Sequence, residues 1–328
     1  MQESERPAEI EPDDLKQLLR DLLVSPSYRP PLLPQVATEL MQLSQRANVQ
    51  FEEVVKLLER DPVLAARTLS IAQSAFYATR SPVTSLNQAA VRLGLKTLRE
   101  LVLEAALHLR VFRVPGMERP MERLSRHSTA VAHAIRVVCR RTSLDAEYAF
   151  LVGLLHDVGF AACLLALAED PYWKGVTFEQ FAPVLDEVHA EASALLTRIW
   201  KLPEPIQRSV AHHHDVKVNG KVEPTNAALI VAEQLCWEAG LGMLPPPEDA
   251  DPYAMIMPEP PLEGLDANWT GTVNEAAQAL KMDDLAVCAT RAEVFGLLEK
   301  LGLAAPHAAK AGAPARAAAA APAGAPRR

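Results

Sequence analysis

Residues 148–168 read YAFLVGLLHDVGFAACLLALA and are apolar almost throughout, except for His156 and Asp157 near the middle. A membrane span of this length would place a His and an Asp in hydrocarbon at a high energetic cost, and no basic loop flanks it. The stretch therefore predicts one buried helix of a globular protein. Gly153 and Gly159 lie about one turn from the pair and leave room for a neighbour to approach.

The composition favours helices. Hydrophobic residues make up 49% of the 328-residue chain, whereas aromatic residues are only 5%. Ala and Leu are abundant, and both are strong helix formers. Amphipathic helical patterns follow one another along the chain without strand-like alternation. The predicted fold class is therefore all-α, with a multi-helix core.

Net charge and cysteine use restrict the partners and the compartment. The formal net charge of −8 argues against a nucleic-acid partner held by phosphate neutralisation. The start of the sequence lacks the apolar segment of an export signal, so we expect a cytoplasmic protein. No CxxC motif is present, and buried free thiols are expected at all four cysteines, Cys139, Cys163, Cys236 and Cys288.

Shifts in composition divide the chain into an N-terminal extension with one amphipathic helix at 1–28, a multi-helix domain at 29–240, a Pro-rich and acidic insertion at 241–270, C-terminal helices at 271–303 and an Ala- and Pro-rich tail at 304–328. The tail has too few apolar side chains to fold and is predicted to be disordered. The domain divides further into helical halves at 29–112 and 113–240. Within the second half, residues 178–200 predict one or two helices with an interruption near Pro183.

Isolated polar residues recur on the apolar faces of successive helices in the second half. A single histidine in such a place is usually a core residue with a hydrogen-bonding partner, but a series on separate elements is harder to explain in this way. Several imidazoles with one or two carboxylates suit a divalent transition metal such as iron, manganese or zinc. The candidate metal ligands are His127, His156, Asp157, His189, His213, His214 and Glu233.

The order of these residues resembles the HD superfamily of metal-dependent phosphohydrolases, which includes the HD-GYP branch. The closer resemblance, over about 30–235, is to the HD-related output domain (HDOD) family. It rests on the phrases LLPQVATELMQLS, DPVLAARTLSIAQSAFYATRSPVTSLNQAAVRLGLKTL, GLLHDVGF and HAEASALLTRIWKLPEPIQRSVAHHHD. The resemblance implies an HDOD domain at 29–240 with an HD-like half at 113–240. It also implies a role in bacterial signal transduction, usually without demonstrated catalysis.

The resemblance assigns the histidines and the His-Asp doublet to the family's ligand positions, with two departures. Glu233 stands where the hydrolases carry their final Asp, which keeps the carboxylate but lengthens its arm. Phe160 stands where the HD-GYP enzymes carry a lysine after the doublet, and its ring offers no charge to phosphate oxygens. No GYP-like motif is present.

Two functions remain open at this point. The favoured one is a signalling scaffold without catalytic residues, which contacts other signalling proteins and retains a residual metal site. The alternative is a metal-dependent phosphohydrolase that acts on a nucleotide or cyclic dinucleotide. The near-complete ligand set supports the alternative, and Phe160 weakens it. A nucleotide ligand is compatible with both functions.

Overall fold

A computed structural model describes residues 12–43, 48–74, 77, 83–144, 147–169, 177–244, 269 and 271–304. The helices of the described chain begin with α1 (Pro12–Val24), α2 (Gln35–Leu43), α3 (Phe51–Leu58), α4 (Pro62–Ala72), α5 (Leu86–Arg110) and α6 (Glu118–Arg141). They continue with α7 (Ala149–Leu155), α8 (Val158–Glu169), α9 (Phe178–Ile199), α10 (Glu204–Ala211), α11 (Pro224–Glu238), α12 (Gly271–Ala279) and α13 (Asp284–Lys300). The all-α prediction is confirmed.

Local capping signals begin the helices of the N-terminal half. The Asp61 carboxylate accepts a hydrogen bond from the backbone N–H of Leu64, and Pro62 occupies the first turn of α4. Gly94 has φ 81° and ψ 163°, which breaks the helical geometry within α5. These helices pack largely against one another, with α5 contacting both α3 and α4.

The opening stretch forms two helices, and the prediction of one continuous helix was wrong. Helix α7 ends at Leu155, residues 156 and 157 form a turn, and α8 starts at Val158. Asp157 lies in this turn, and its carboxylate contacts His127 on α6 and His189 on α9. By length and composition Ala149–Glu169 could cross a membrane, but 94% of its apolar window is buried inside the protein.

The two glycines of this stretch admit neighbouring helices. A Cβ atom on Gly153 would lie 2.8 Å from the Cα atom of Ala132 on α6. A Cβ atom on Gly159 would collide with the backbone carbonyl of His189 on α9 and lie 2.6 Å from the Ser193 nitrogen. Glycine is therefore needed at both positions for α6, α7, α8 and α9 to approach closely.

Helix α9 is continuous. Pro183 lies in its second turn without an interruption, although proline cannot donate the hydrogen bond that an N–H at this position would make to the Glu179 carbonyl. A two-stranded antiparallel hairpin, β1 (Lys217–Val218) with β2 (Lys221–Val222), follows α10 and was not predicted. Its turn holds Asn219 at φ 52° and Gly220 at φ 74°, so the Asn-Gly pair was an available hairpin signal.

The helices at the two ends pack onto the second half. Helix α1 lies against α8 and α9, where Arg20 makes a two-point ion pair with Glu191 at 2.7 and 3.0 Å. Helices α12 and α13 contact α11, and α13 also contacts α6. Three of the cysteines are buried as expected, but Cys288 on α13 is exposed and corrects that prediction.

The proposed domain boundaries stay predictions. Most of the predicted insertion, at 245–268, and nearly all of the predicted tail, at 305–328, lie outside the described residues. The first residues of the N-terminal extension, 1–11, lie outside them as well.

Candidate metal centre

The seven candidate ligands come from five parts of the chain and meet in one place. His127 lies on α6, the doublet lies in the turn between α7 and α8, and His189 lies on α9. His213 and His214 follow the end of α10, and Glu233 lies on α11. The structure therefore brings together every ligand named from the sequence. Their role as metal ligands stays a prediction.

The first ligand group consists of His127, His156, Asp157 and Glu233, whose ligand atoms all lie within 4.8 Å of one another. The Nε2 atom of His156 is 3.2 Å from the Nε2 atom of His127 and 3.1 Å from Glu233 Oε1. Asp157 Oδ2 lies 3.3 Å from the Nε2 atom of His127 and 3.4 Å from that of His156. The side chain of Glu233, which is one methylene longer than that of an aspartate, thus reaches the other members of the first ligand group.

The second ligand group consists of His189, His213 and His214. The Nε2 atom of His189 lies 3.1 Å from the Nε2 atoms of both other histidines. Asp157 also joins this group, because its Oδ1 atom is 3.3 Å from His189 Nε2 and 3.5 Å from His213 Nε2. The two oxygens of Asp157 therefore face the two groups, so that one carboxylate lies between two candidate ion positions.

Backbone carbonyls orient the imidazoles. The Nδ1 atoms of His156, His189 and His213 lie 2.8, 3.2 and 2.8 Å from carbonyl oxygens in the preceding turn of their own segment. His127 Nδ1 lies 2.7 Å from the carbonyl of Leu241, far along the chain. An Nδ1–H that donates to a carbonyl leaves the Nε2 atom of a neutral ring with a lone pair. Where the rings are neutral, their lone pairs face one another, and a proton or a bound cation between them would relieve this arrangement.

Burial and charge shift the pKa values of several ligand side chains. Burial alone would lower the pKa of His156, but the carboxylates of Asp157 and Glu233 raise it well above its usual value. Burial would raise the pKa of Asp157, yet His156 and the neighbouring imidazoles hold it well below its usual range. His214 differs: its side chain is partly exposed, but desolvation by its surroundings and the nearby His213 lower its pKa to about 4. A proton or a metal ion can supply the positive charge at the centre.

A cavity of about 650 Å³ opens beside the two groups. Its described wall includes Phe160, Trp237 and Met243, together with the carboxylates of Asp157, Asp186 and Glu233, and contains no lysine or arginine. The Phe160 ring is stacked on the His189 ring, with centroids 4.5 Å apart and planes 19° apart. Phe160 thus covers the imidazole instead of presenting a cation.

Sequence reasoning missed three residues of the site. Asp186 lines the cavity one turn before His189 on α9, and that spacing could have identified it. Ser193 accepts a hydrogen bond at 2.7 Å from the Gly159 N–H, which fixes α8 against α9. Asn226 contacts the loop that carries His213 and His214, and no local pattern in the sequence marks it.

A scan against protein families matches residues 31–216 to the HDOD domain. An uncharacterized protein of Treponema pallidum (strain Nichols) is 24% identical over 196 residues, which are 57% of this chain and 38% of the relative. The chain thus spans well under half the length of this relative.

Two crystal structures share the fold. A candidate metal-dependent phosphohydrolase from Shewanella amazonensis SB2B has a TM-score of 0.61 and 17% identity over 87% of this chain and 98% of its own. A candidate signal transduction protein from Marinobacter aquaeolei VT8 has a TM-score of 0.58 and 18% identity over 90% of this chain and 68% of its own. At these identities the likeness extends to the fold alone.

Proposed function

Since this chain belongs to the HDOD domain family, we propose that it is a bacterial signal-transduction module that binds a divalent transition metal within its helical core and does not hydrolyse phosphodiesters. Its partners are other signalling proteins. The family resemblance and the signal transduction protein of the same fold support the signalling role.

The donor set supports the metal. Imidazole nitrogens with a few carboxylate oxygens suit iron, manganese and zinc, whereas magnesium and calcium prefer shells of oxygen alone. The first ligand group offers two imidazoles and two carboxylates, and the second offers three imidazoles. The Nε2 lone pairs already face inward, so binding requires little reorganisation of the rings. An ion bound here would tie together the elements from α6 to α11 and stabilise the native state by mass action.

The single observation that carries the non-catalytic assignment is the absence of a lysine or arginine from the described wall of the cavity. A cyclic dinucleotide carries two negative charges, and phosphoryl transfer draws on positive groups that stabilise charge in the transition state. Asp186 and Glu233 add negative charge to the wall instead. Phe160 fills the position from which a cation would reach the phosphate.

The test is a hydrolysis assay on protein reconstituted with manganese or iron. Suitable substrates are cyclic dinucleotides, linear dinucleotides and bis(p-nitrophenyl) phosphate. We expect no product above that formed by the metal ion in buffer. Product that disappears in Glu233→Gln, a variant that changes a ligand while keeping its size, would overturn the non-catalytic assignment.

One observation favours a second candidate function. Glu233 reaches His156 at 3.1 Å despite its longer arm, so all the ligand positions implied by the family resemblance supply a donor atom. This supports a metal-dependent phosphohydrolase for a nucleotide or cyclic dinucleotide, in which the ion would supply the charge that the wall lacks. The hydrolysis assay separates the two candidates.

A further inference from the structure

A buried asparagine holds the turn that carries two histidines of the second ligand group. Asn226 lies in the first turn of α11 and is only 1% exposed. Its Nδ2 atom donates to the carbonyl of His212 at 2.7 Å and to the carbonyl of Asp215 at 3.2 Å. These two carbonyls belong to the two ends of one turn. The residues between them are His213 and His214 of the second ligand group.

The orientation of this amide follows from its neighbours. Two carbonyl oxygens accept hydrogen bonds and cannot donate them, so the NH₂ group of Asn226 must face them. The Oδ1 atom is buried with no hydrogen-bond partner among the described residues. A buried acceptor without a partner is unfavourable, which indicates that the two bonds of the NH₂ group decide how this side chain is placed.

The same helix carries a ligand of the first group. Asn226 and Glu233 are two turns apart on α11 and therefore share a face. Glu233 is thus part of helix α11 itself, and the same helix holds the turn of His213 and His214 through the hydrogen bonds of Asn226. The rest of the first group is anchored elsewhere, with His127 on α6 and the doublet beside α7 and α8.

We propose that Asn226 is a positioning residue for the second ligand group, and that its amide holds His213 and His214 at the distance from His189 at which they can share an ion. This inference rests on the proposed metal centre. It goes further, because it makes the two ion positions depend on different residues. Without the Asn226 amide the 212–215 turn is no longer held, whereas His127, His156 and Asp157 stay in place.

Asn226→Asp is the sharpest variant, because it keeps the shape of the side chain and turns its donor group into an acceptor that faces two carbonyl oxygens. Loss of such outer partners weakens metal binding by about 10–100-fold in known centres. With manganese or zinc as the probe, we expect two ions per wild-type chain. The variant should bind one ion as the wild type does and the other at least about tenfold more weakly. Elemental analysis and calorimetry measure both values.

Asn274→Asp is the matched control, since Asn274 is exposed on α12 and the charge change is the same. It should bind both ions as the wild type does. If Asn226→Asp does not fold, Asn226→Ser keeps one donor and is measured against the same criteria. Undiminished binding of both ions, or equal weakening of both, in the folded Asn226 variant would overturn the inference and leave the metal centre standing. A wild-type chain that takes up no ion would remove both.

Discussion

Gly159 lies so close to His189 that a methyl group on it would collide with the His189 backbone carbonyl. The two residues belong to α8 and α9, and the Gly159 N–H also donates to Ser193 on α9. The missing side chain therefore sets how near the His-Asp doublet comes to the first histidine of the second ligand group.

Replacing Gly159 with alanine should destabilise the protein and push His189 away from Asp157. Overpacking of a tight interior costs roughly 1–3 kcal/mol or more. Urea unfolding measures the loss. Gly296→Ala is the control, because Gly296 lies in α13 with open space around the position of a Cβ atom. That change should be neutral or stabilise the helix by about 0.5–1 kcal/mol. Equal effects of the two substitutions would contradict the close packing.

Replacing His156 or Asp157 with alanine should lower the stability even without metal. Each side chain is buried and contacts other buried polar groups, so its removal leaves partners unpaired at about 1–3 kcal/mol or more. Thermal melting of metal-free protein is the measurement. His212→Ala is a matched control, since His212 is exposed and contacts only Asp215 among the described ion pairs. If the His156 and Asp157 variants melted like this control, the buried polar contacts assigned to these two side chains would be contradicted.

Acid should destabilise the protein through His133, a histidine outside the metal centre. Burial is the main reason that its pKa is lowered to about 4, with Glu104 opposing the shift and Arg136 adding to it. The unfolded chain takes up a proton below about pH 6.5, whereas the folded chain does not until about pH 4. His133 therefore costs no stability above pH 7, and its cost grows to about 3 kcal/mol as the pH falls to 4.

The measurement for His133 is the free energy of unfolding from pH 7.5 to 4.5. His133→Gln removes the titrating group, so its stability should fall less steeply with acid than that of the wild type. The comparison of slopes matters here, because other groups titrate in both proteins. Parallel curves would contradict the shift, because they would show that His133 has the same pKa in the folded protein as in the unfolded chain.

Much of the local structure follows from neighbouring residues alone. The Asp61 cap, Pro62 in the first turn of α4 and the break at Gly94 are of this kind. The Asn219-Gly220 turn was equally local, and its signal was overlooked in a sequence otherwise dominated by helical patterns. Such features need no knowledge of the tertiary structure.

Tertiary features were only partly predictable. Gly153 and Gly159 indicated that something comes close, but the partners, Ala132 and His189, lie on other helices. The turn at the doublet was missed because the apolar run carries no proline or glycine at 156–157. The ligands themselves stood out as polar residues on apolar faces. Asn226 and the Leu241 carbonyl did not, because each is hydrogen-bonded to a residue far away along the chain.

The most direct test of the central claim is the thermal melting of metal-free protein titrated with manganese, iron or zinc, with magnesium in parallel. The account predicts a midpoint that rises with each transition metal, by the equivalent of about 2.7 kcal/mol for each bound ion when the free ion is at a hundredfold excess over its dissociation constant. It predicts little rise with magnesium, and little with any ion in Asp157→Asn, which alters the carboxylate shared by both ligand groups. A wild-type midpoint that no transition metal raises would contradict the metal centre.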